Sequence, residues 1–198
     1  MAAPPTKIML IRHGEKPPKS PGKDGPFDVQ ENGTPGGGKS LIVQGWQRAG
    51  ALNAFFAPYH SKPSNPDIAT PNYIYAANPN KESARPCESV TPLAAWLGYK
   101  QGSPQFNVNF DIGGGEKDMV KSVMGLDGVV LICWEHDHIM PNIIDAIQHA
   151  VPIANYSSMP SKWPDVFYLV WVLNLQNNAE KISYLWQQHK QNLIQGDV

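Results

Sequence analysis

Lys7-Ile8-Met9-Leu10-Ile11 runs into Arg12-His13-Gly14-Glu15, and this junction decides how the chain is read. A short β-rich run that is apolar on both faces fits a strand buried in the middle of a sheet. Its abrupt end places an arginine and a histidine at the strand's carboxyl tip. Two further runs repeat the pattern. Tyr73-Ile74-Tyr75-Ala76-Ala77 gives way to a polar stretch from Asn78 to Arg85. Val129-Val130-Leu131-Ile132-Cys133-Trp134, the clearest buried strand, ends in Glu135-His136-Asp137-His138.

Helical patterns lie between these runs. Ser40 is placed to cap a helix over 40–56, with Trp46, Ala49, Leu52 and Phe56 as its apolar stripe. A second helix is predicted over 87–97 and closed by Gly98, with Pro92 expected to kink it or mark its start. Gly113-Gly114-Gly115 reads as a turn before a short helix over 116–124. Pro141 suits a first helical turn, followed by the apolar face of Ile143, Ile144, Ile147 and Val151. Residues 166–175 and 182–186, flanking the turn signal Asn177-Asn178, predict a strand pair. Strands alternating with helices predict an α/β fold with helices on both faces of the sheet, in one domain over 1–198. In such sheets ligands bind beyond the carboxyl ends of the strands. If the three buried strands are parallel neighbours, Arg12, His13, Arg85 and His136 meet in one crevice. Two arginines and two histidines there make a dianion site, because guanidinium pairs with phosphate bidentately and imidazole adds donors.

Composition narrows the classes. Sixteen Lys+Arg against seventeen Asp+Glu leave a net charge of −1, which argues against a bulk nucleic-acid or acidic-membrane binder. Two cysteines, Cys87 and Cys133, cannot make a disulfide framework and are expected as buried free thiols. The longest apolar runs are too short to span a bilayer and no signal sequence is visible, so a cytoplasmic protein is expected. Of the 17 Gly and 19 Pro, 11 fall within 17–38. That segment reads as a long loop, and its place directly behind His13 makes it a rim or lid for the crevice. Its lysines, Lys16, Lys19 and Lys23, read as solvated or as attracting an anion.

Leu10-Ile11-Arg12-His13-Gly14-Glu15 resembles the N-terminal motif of the histidine phosphatase superfamily, the phosphoglycerate-mutase-like group. Gly45-Trp46-Gln47-Arg48-Ala49 resembles its next helix. Arg85 with Glu88-Ser89-Val90 and Pro92-Leu93-Ala94 is similar to the segment carrying its second phosphate-binding arginine. Val130 to His136 resembles the strand leading to its second catalytic histidine, and Gln191 to Asp197 a common family ending. Departures are Ile42, where the family often has a polar cap, the approach Asn78-Pro79-Asn80-Lys81-Glu82, and the long loop over 17–38.

The resemblance implies a three-layer α/β/α sandwich with a mostly parallel central sheet. It also implies a metal-independent phosphomonoesterase without a cofactor, acting on a small phosphorylated substrate or a phosphoprotein. His13 would be the nucleophile, and Arg12, Arg85 and His136 would hold the phosphate oxygens. Asp137 would be the acid and base, with Glu116 or Asp111 as alternatives, while Glu15 would orient His13 or a neighbouring backbone group. Gly14 would let the backbone pass close to the phosphate. Three other readings stay open: a mutase-type phosphotransferase, a non-catalytic phosphate-binding or protein-interaction module on the same fold, and a metal site. In the last, an extended strand puts His136 and His138 on one side, with Glu15 or His13 completing the set.

Overall fold

A computed structural model describes residues 3–20, 22–178 and 181–197. In chain order its elements are β1 (Lys7–Arg12), α1 (Val43–Phe56), β2 (Tyr73–Ala77), α2 (Arg85–Trp96), β3 (Phe106–Phe110), α3 (Glu116–Val123), β4 (Val129–Trp134), the single turn α4 (His136–His138), α5 (Ile144–Ala150), β5 (Leu169–Asn178) and β6 (Lys181–Lys190). The fold is α/β. Its six strands form one mixed sheet in the order β3-β2-β4-β1-β5-β6. The pairs β2–β3, β2–β4 and β1–β4 are parallel, and β1–β5 and β5–β6 are antiparallel.

The three apolar runs are therefore adjacent and point the same way. They are buried because each strand is covered on both faces. Ile8, Leu10, Val130 and Ile132 pack with Met119, Val123, Ile144 and Ile147 of α3 and α5. Met9, Ile11, Leu131 and Cys133 pack with Leu52, Phe56, Val90 and Leu93 of α1 and α2. Alternate residues of one strand thus feed two cores, as the two-residue period of a strand requires. Cys87 and Cys133 are buried free thiols. Burial pushes the Cys87 thiol up to about 11, so it is an inert packing group near neutral pH. No helix among the described residues is long and apolar enough to cross a membrane.

Several local expectations need correcting. Ser40 caps nothing: α1 begins at Val43 behind Ile42, with no side-chain cap. Its buried stripe is Gly45, Arg48, Ala49, Leu52 and Phe56, while Trp46 turns aside to donate its indole N–H to the Val29 carbonyl at 2.8 Å. Pro92 lies inside α2, which starts two residues earlier than expected and has Pro86 in its first turn, where a missing N–H is harmless. Met140 has extended dihedrals that interrupt the helical path after β4, and the turn that follows from Pro141 leads into α5. The β5–β6 hairpin is longer than predicted. Asn177 and Asn178 are paired strand residues, opposite Ile182 and Lys181, and the connecting residues 179–180 lie outside the described residues. β3 was not foreseen at all.

Candidate active site

The parallel register of β1 and β4 sets Arg12 opposite Trp134, and the His13 N–H continues the ladder to the Trp134 carbonyl at 3.2 Å. His13 is thereby fixed beside the start of Glu135-His136. Beyond β2, the chain turns into α2, whose first residue is Arg85. Ser89, one turn on, ties this helix to β1. Its hydroxyl donates to the Arg85 carbonyl and accepts the Gly14 N–H, both at 2.7 Å. The strand tips converge as the alternation of elements predicted.

His13 is 0 % exposed. Its Nδ1 lies 2.7 Å from the Gly14 carbonyl oxygen. A carbonyl only accepts, so Nδ1 carries the proton and Nε2 holds a lone pair. That Nε2 is buried without a hydrogen-bond partner. Burial brings the imidazole pKa down to about 3, and the charges of Arg12, Arg85 and Lys16 add to the shift, against the opposing Gly14 bond. The ring is neutral at physiological pH. Chemically, it is a nucleophile surrounded by cations, suited to an electrophile that carries negative charge.

Arg12, 2 % exposed, donates from Nη1 to Asp165 Oδ1 at 2.8 Å, and its guanidinium lies 4.0 Å from the centre of the Phe167 ring. Its Nε is buried and unpartnered. Phe167 is also 6.0 Å from the His13 ring, so the segment before β5 lies against both residues. The sequence pattern singles out neither Phe167 nor Asp165. Antiparallel pairing of β5 with β1 brings the start of β5 beside the end of β1.

Arg85 donates Nε to the Ser40 carbonyl at 3.2 Å, Nη1 to the Ser83 hydroxyl at 3.3 Å and Nη2 to the Gly38 carbonyl. All three acceptors are neutral, and a guanidinium has five N–H donors, so two remain for a ligand. The half-buried His136 has a buried Nδ1 without a partner, and its pKa is lowered by burial and by Arg12 against the pull of Asp137.

Asp137 is exposed, with Oδ1 3.4 Å from His136 Nε2. The two alternative acids are occupied elsewhere. Glu116 is buried and accepts from the Gly113 N–H at 2.8 Å and the Trp134 indole at 3.2 Å, and pairs with His138 at 3.0 Å. Asp111 accepts from Asn78 at 3.0 Å. Glu135, not singled out in the sequence, exerts its charge on Lys16, Arg85 and His136. The metal set read from an extended strand is not assembled. His136 and His138 lie on a helical turn, His138 is taken by Glu116, and Glu15 is taken by Arg48. Glu135, His136 and Asp137 do place ligand atoms within 4.8 Å of one another.

Glu15 does not orient His13. Its carboxylate pairs with the buried Arg48 at 2.6 Å, and Arg48 also meets Asp197 at 2.7 Å and Gln191 at 2.9 Å. Arg48 is therefore a buried structural hub. The glycine at position 14 is required by helix packing. A Cβ there would sit 3.0 Å from the Gly45 carbonyl, and one on Gly45 would sit 2.5 Å from that of Glu15.

The 17–38 segment is folded over the Arg85 side. The buried Asp28 accepts the Ser40 N–H at 2.9 Å, and short bridges join Asp28 to Ile42 and Val29 to Pro35. Between this segment and Arg85 is a cavity of about 450 Å³ lined by Lys16, Pro17, Pro18, Lys19, Phe27, Asp28, Gly38 and Arg85. Lys16 is partly buried there, and Lys19 is exposed at its rim. A larger hollow of about 980 Å³ between α3 and α5 contains none of Arg12, His13, Arg85 or His136. No protein-family model matches the chain, and no curated protein matches it.

Proposed function

We propose that this chain is a metal-independent, cytoplasmic phosphatase that hydrolyses a phosphomonoester through a phosphohistidine on His13. The fold proposed with it is the phosphoglycerate-mutase-like three-layer α/β/α sandwich with a mostly parallel sheet. One observation carries the reading: a buried, neutral His13 whose Nε2 lone pair has no partner and is surrounded by the charges of Arg12, Arg85 and Lys16. The large majority of buried polar atoms have a hydrogen-bond partner, so an unpartnered lone pair set among cationic side chains points to a ligand.

In this reaction the Nε2 lone pair attacks phosphorus and the ester P–O bond breaks. Arg12, Arg85 and His136 take the equatorial oxygens, where charge is spread in the transition state. The leaving oxygen takes a proton from Asp137, an exposed carboxyl beside His136. Asp137 then takes a proton from water, whose oxygen attacks phosphorus. The P–N bond breaks and its electron pair returns to Nε2.

The test is incubation with a labelled generic phosphomonoester. The expected result is acid-labile phosphate on His13, with neither label nor turnover in His13→Ala. Equal turnover in the variant overturns the proposal. Single-turnover rates of Asp137→Asn with poor leaving groups test the acid, and unchanged rates remove Asp137 from the role.

A further inference from the structure

We infer that the substrate's leaving group carries a second anion, held by Lys16 and Lys19 in the cavity between the 17–38 segment and Arg85. This inference rests on the phosphatase reading and adds the class of ester to it.

The first support is charge. The chain has a net charge of −1, yet three of its sixteen Lys+Arg line this one cavity, against the single carboxylate of Asp28. Asp28 is already used by the Ser40 N–H. The second is partnership. Arg85 is fastened by neutral acceptors, while Lys16 and Lys19 make no hydrogen bond or ion pair within the described residues. Lys16 is also crowded by like charge. Its ammonium is pulled below the usual range by burial, then by Arg12 and Arg85, with only Glu135 and Asp165 opposing. Gathering like charges in a half-enclosed space is unfavourable unless an anion joins them.

The third support is position and stoichiometry. Lys16 and Arg85 act on His13 and also wall the cavity, so the cavity adjoins the phosphate position. A phosphate on His13 engages Arg12 and Arg85, which leaves Lys16 and Lys19 for another negative group. The rest of the lining is Pro17, Pro18, Gly38 and Phe27, whose ring is 55 % exposed. These surfaces suit a compact apolar or aromatic frame between the two anions. A cavity of about 450 Å³ is ample for such a molecule and too small for a folded protein surface to enter.

The experiment compares kcat/KM for phenyl phosphate and 4-carboxyphenyl phosphate, two esters that differ in one remote carboxylate. The wild-type protein should prefer the carboxylate by about tenfold. Lys19→Glu should abolish or reverse that preference, and Lys19→Arg should retain it. A ratio near one in the wild type, or one unchanged in Lys19→Glu, overturns the inference while the phosphatase reading stands. Hydrolysis of neither ester, with no phosphate on His13, removes the phosphatase reading and the inference together.

Discussion

The carboxylate of Asp165, almost fully exposed, lies 2.8 Å from Nη1 of Arg12, whose side chain is almost fully buried. The pair occupies a guanidinium corner that the proposed substrate needs. Arg12 draws the Asp165 carboxyl below its usual range, first through their hydrogen bond and then through charge. Asp165 is thus a built-in competitor for the phosphate. With its acidic partner in solvent, such a pair is worth on the order of 1 kcal/mol. Asp165→Asn should therefore tighten inhibition by inorganic phosphate about two- to fivefold. Weaker inhibition in the variant would make Asp165 a ligand of the substrate instead.

His13 makes stability depend on pH. Its pKa is about 3 in the folded protein, against roughly 6.5 for an unperturbed histidine. Between these values the unfolded chain binds the extra proton, so stability rises with pH and is lost as pH falls below about 6.5. From pH 7 to pH 5 the cost from this residue is about 2 kcal/mol. His13→Asn, which does not titrate, should show a correspondingly flatter difference in urea midpoints at the two pH values. Equal acid sensitivity in both proteins would show that His13 does not remain neutral. The same low pKa means that an acid limb in kcat/KM above pH 4 must arise from another group.

Ser89 joins the backbone next to His13 to the helix that carries Arg85. Ser89→Ala leaves the Gly14 N–H without its partner in a buried position, at a cost of about 1–3 kcal/mol. The larger effect should be on turnover, because Gly14 also anchors the imidazole through its carbonyl. We expect kcat to fall more than KM rises, with Ser89→Thr recovering part of it. A purely structural role would lower Tm and leave kcat per folded molecule unchanged.

Arg48 is the most interconnected charge in the molecule. Replacing it with methionine strands the carboxylates of Glu15 and Asp197 and should destabilise the fold by about 3–5 kcal/mol, read as a shift in denaturant midpoint. A loss below about 1 kcal/mol would place the cluster among ion pairs that break even on burial.

The sequence discloses β1, β2 and β4 because residues buried on both faces must be apolar throughout. The residues at their tips follow from the rule for ligand sites in such sheets. β3, Phe106-Asn107-Val108-Asn109-Phe110, escaped notice because it pairs on one side only and carries two asparagines. The Arg48 hub could not be read because its partners lie 33, 143 and 149 residues away. Asp165 and Phe167 reach Arg12 through the reversed direction of β5, which local pattern does not encode. Gly14 also packs closely against Gly45 of α1, a contact that local pattern does not encode.

β1 lies between two strands that come far later in the chain: Lys7 is paired with Val129 on one side and Asn174 on the other. The strand carrying Arg12 and His13 thus has no sheet partner among its first hundred successors. Closing loops of that length is entropically costly and makes such topologies slow to fold. The hydrogen bonds that lock β1 in place, and with them the rigid setting of the imidazole, form only once β4 and β5 are available. The setting of Arg12 and His13 is thus completed by strands from the later half of the sequence.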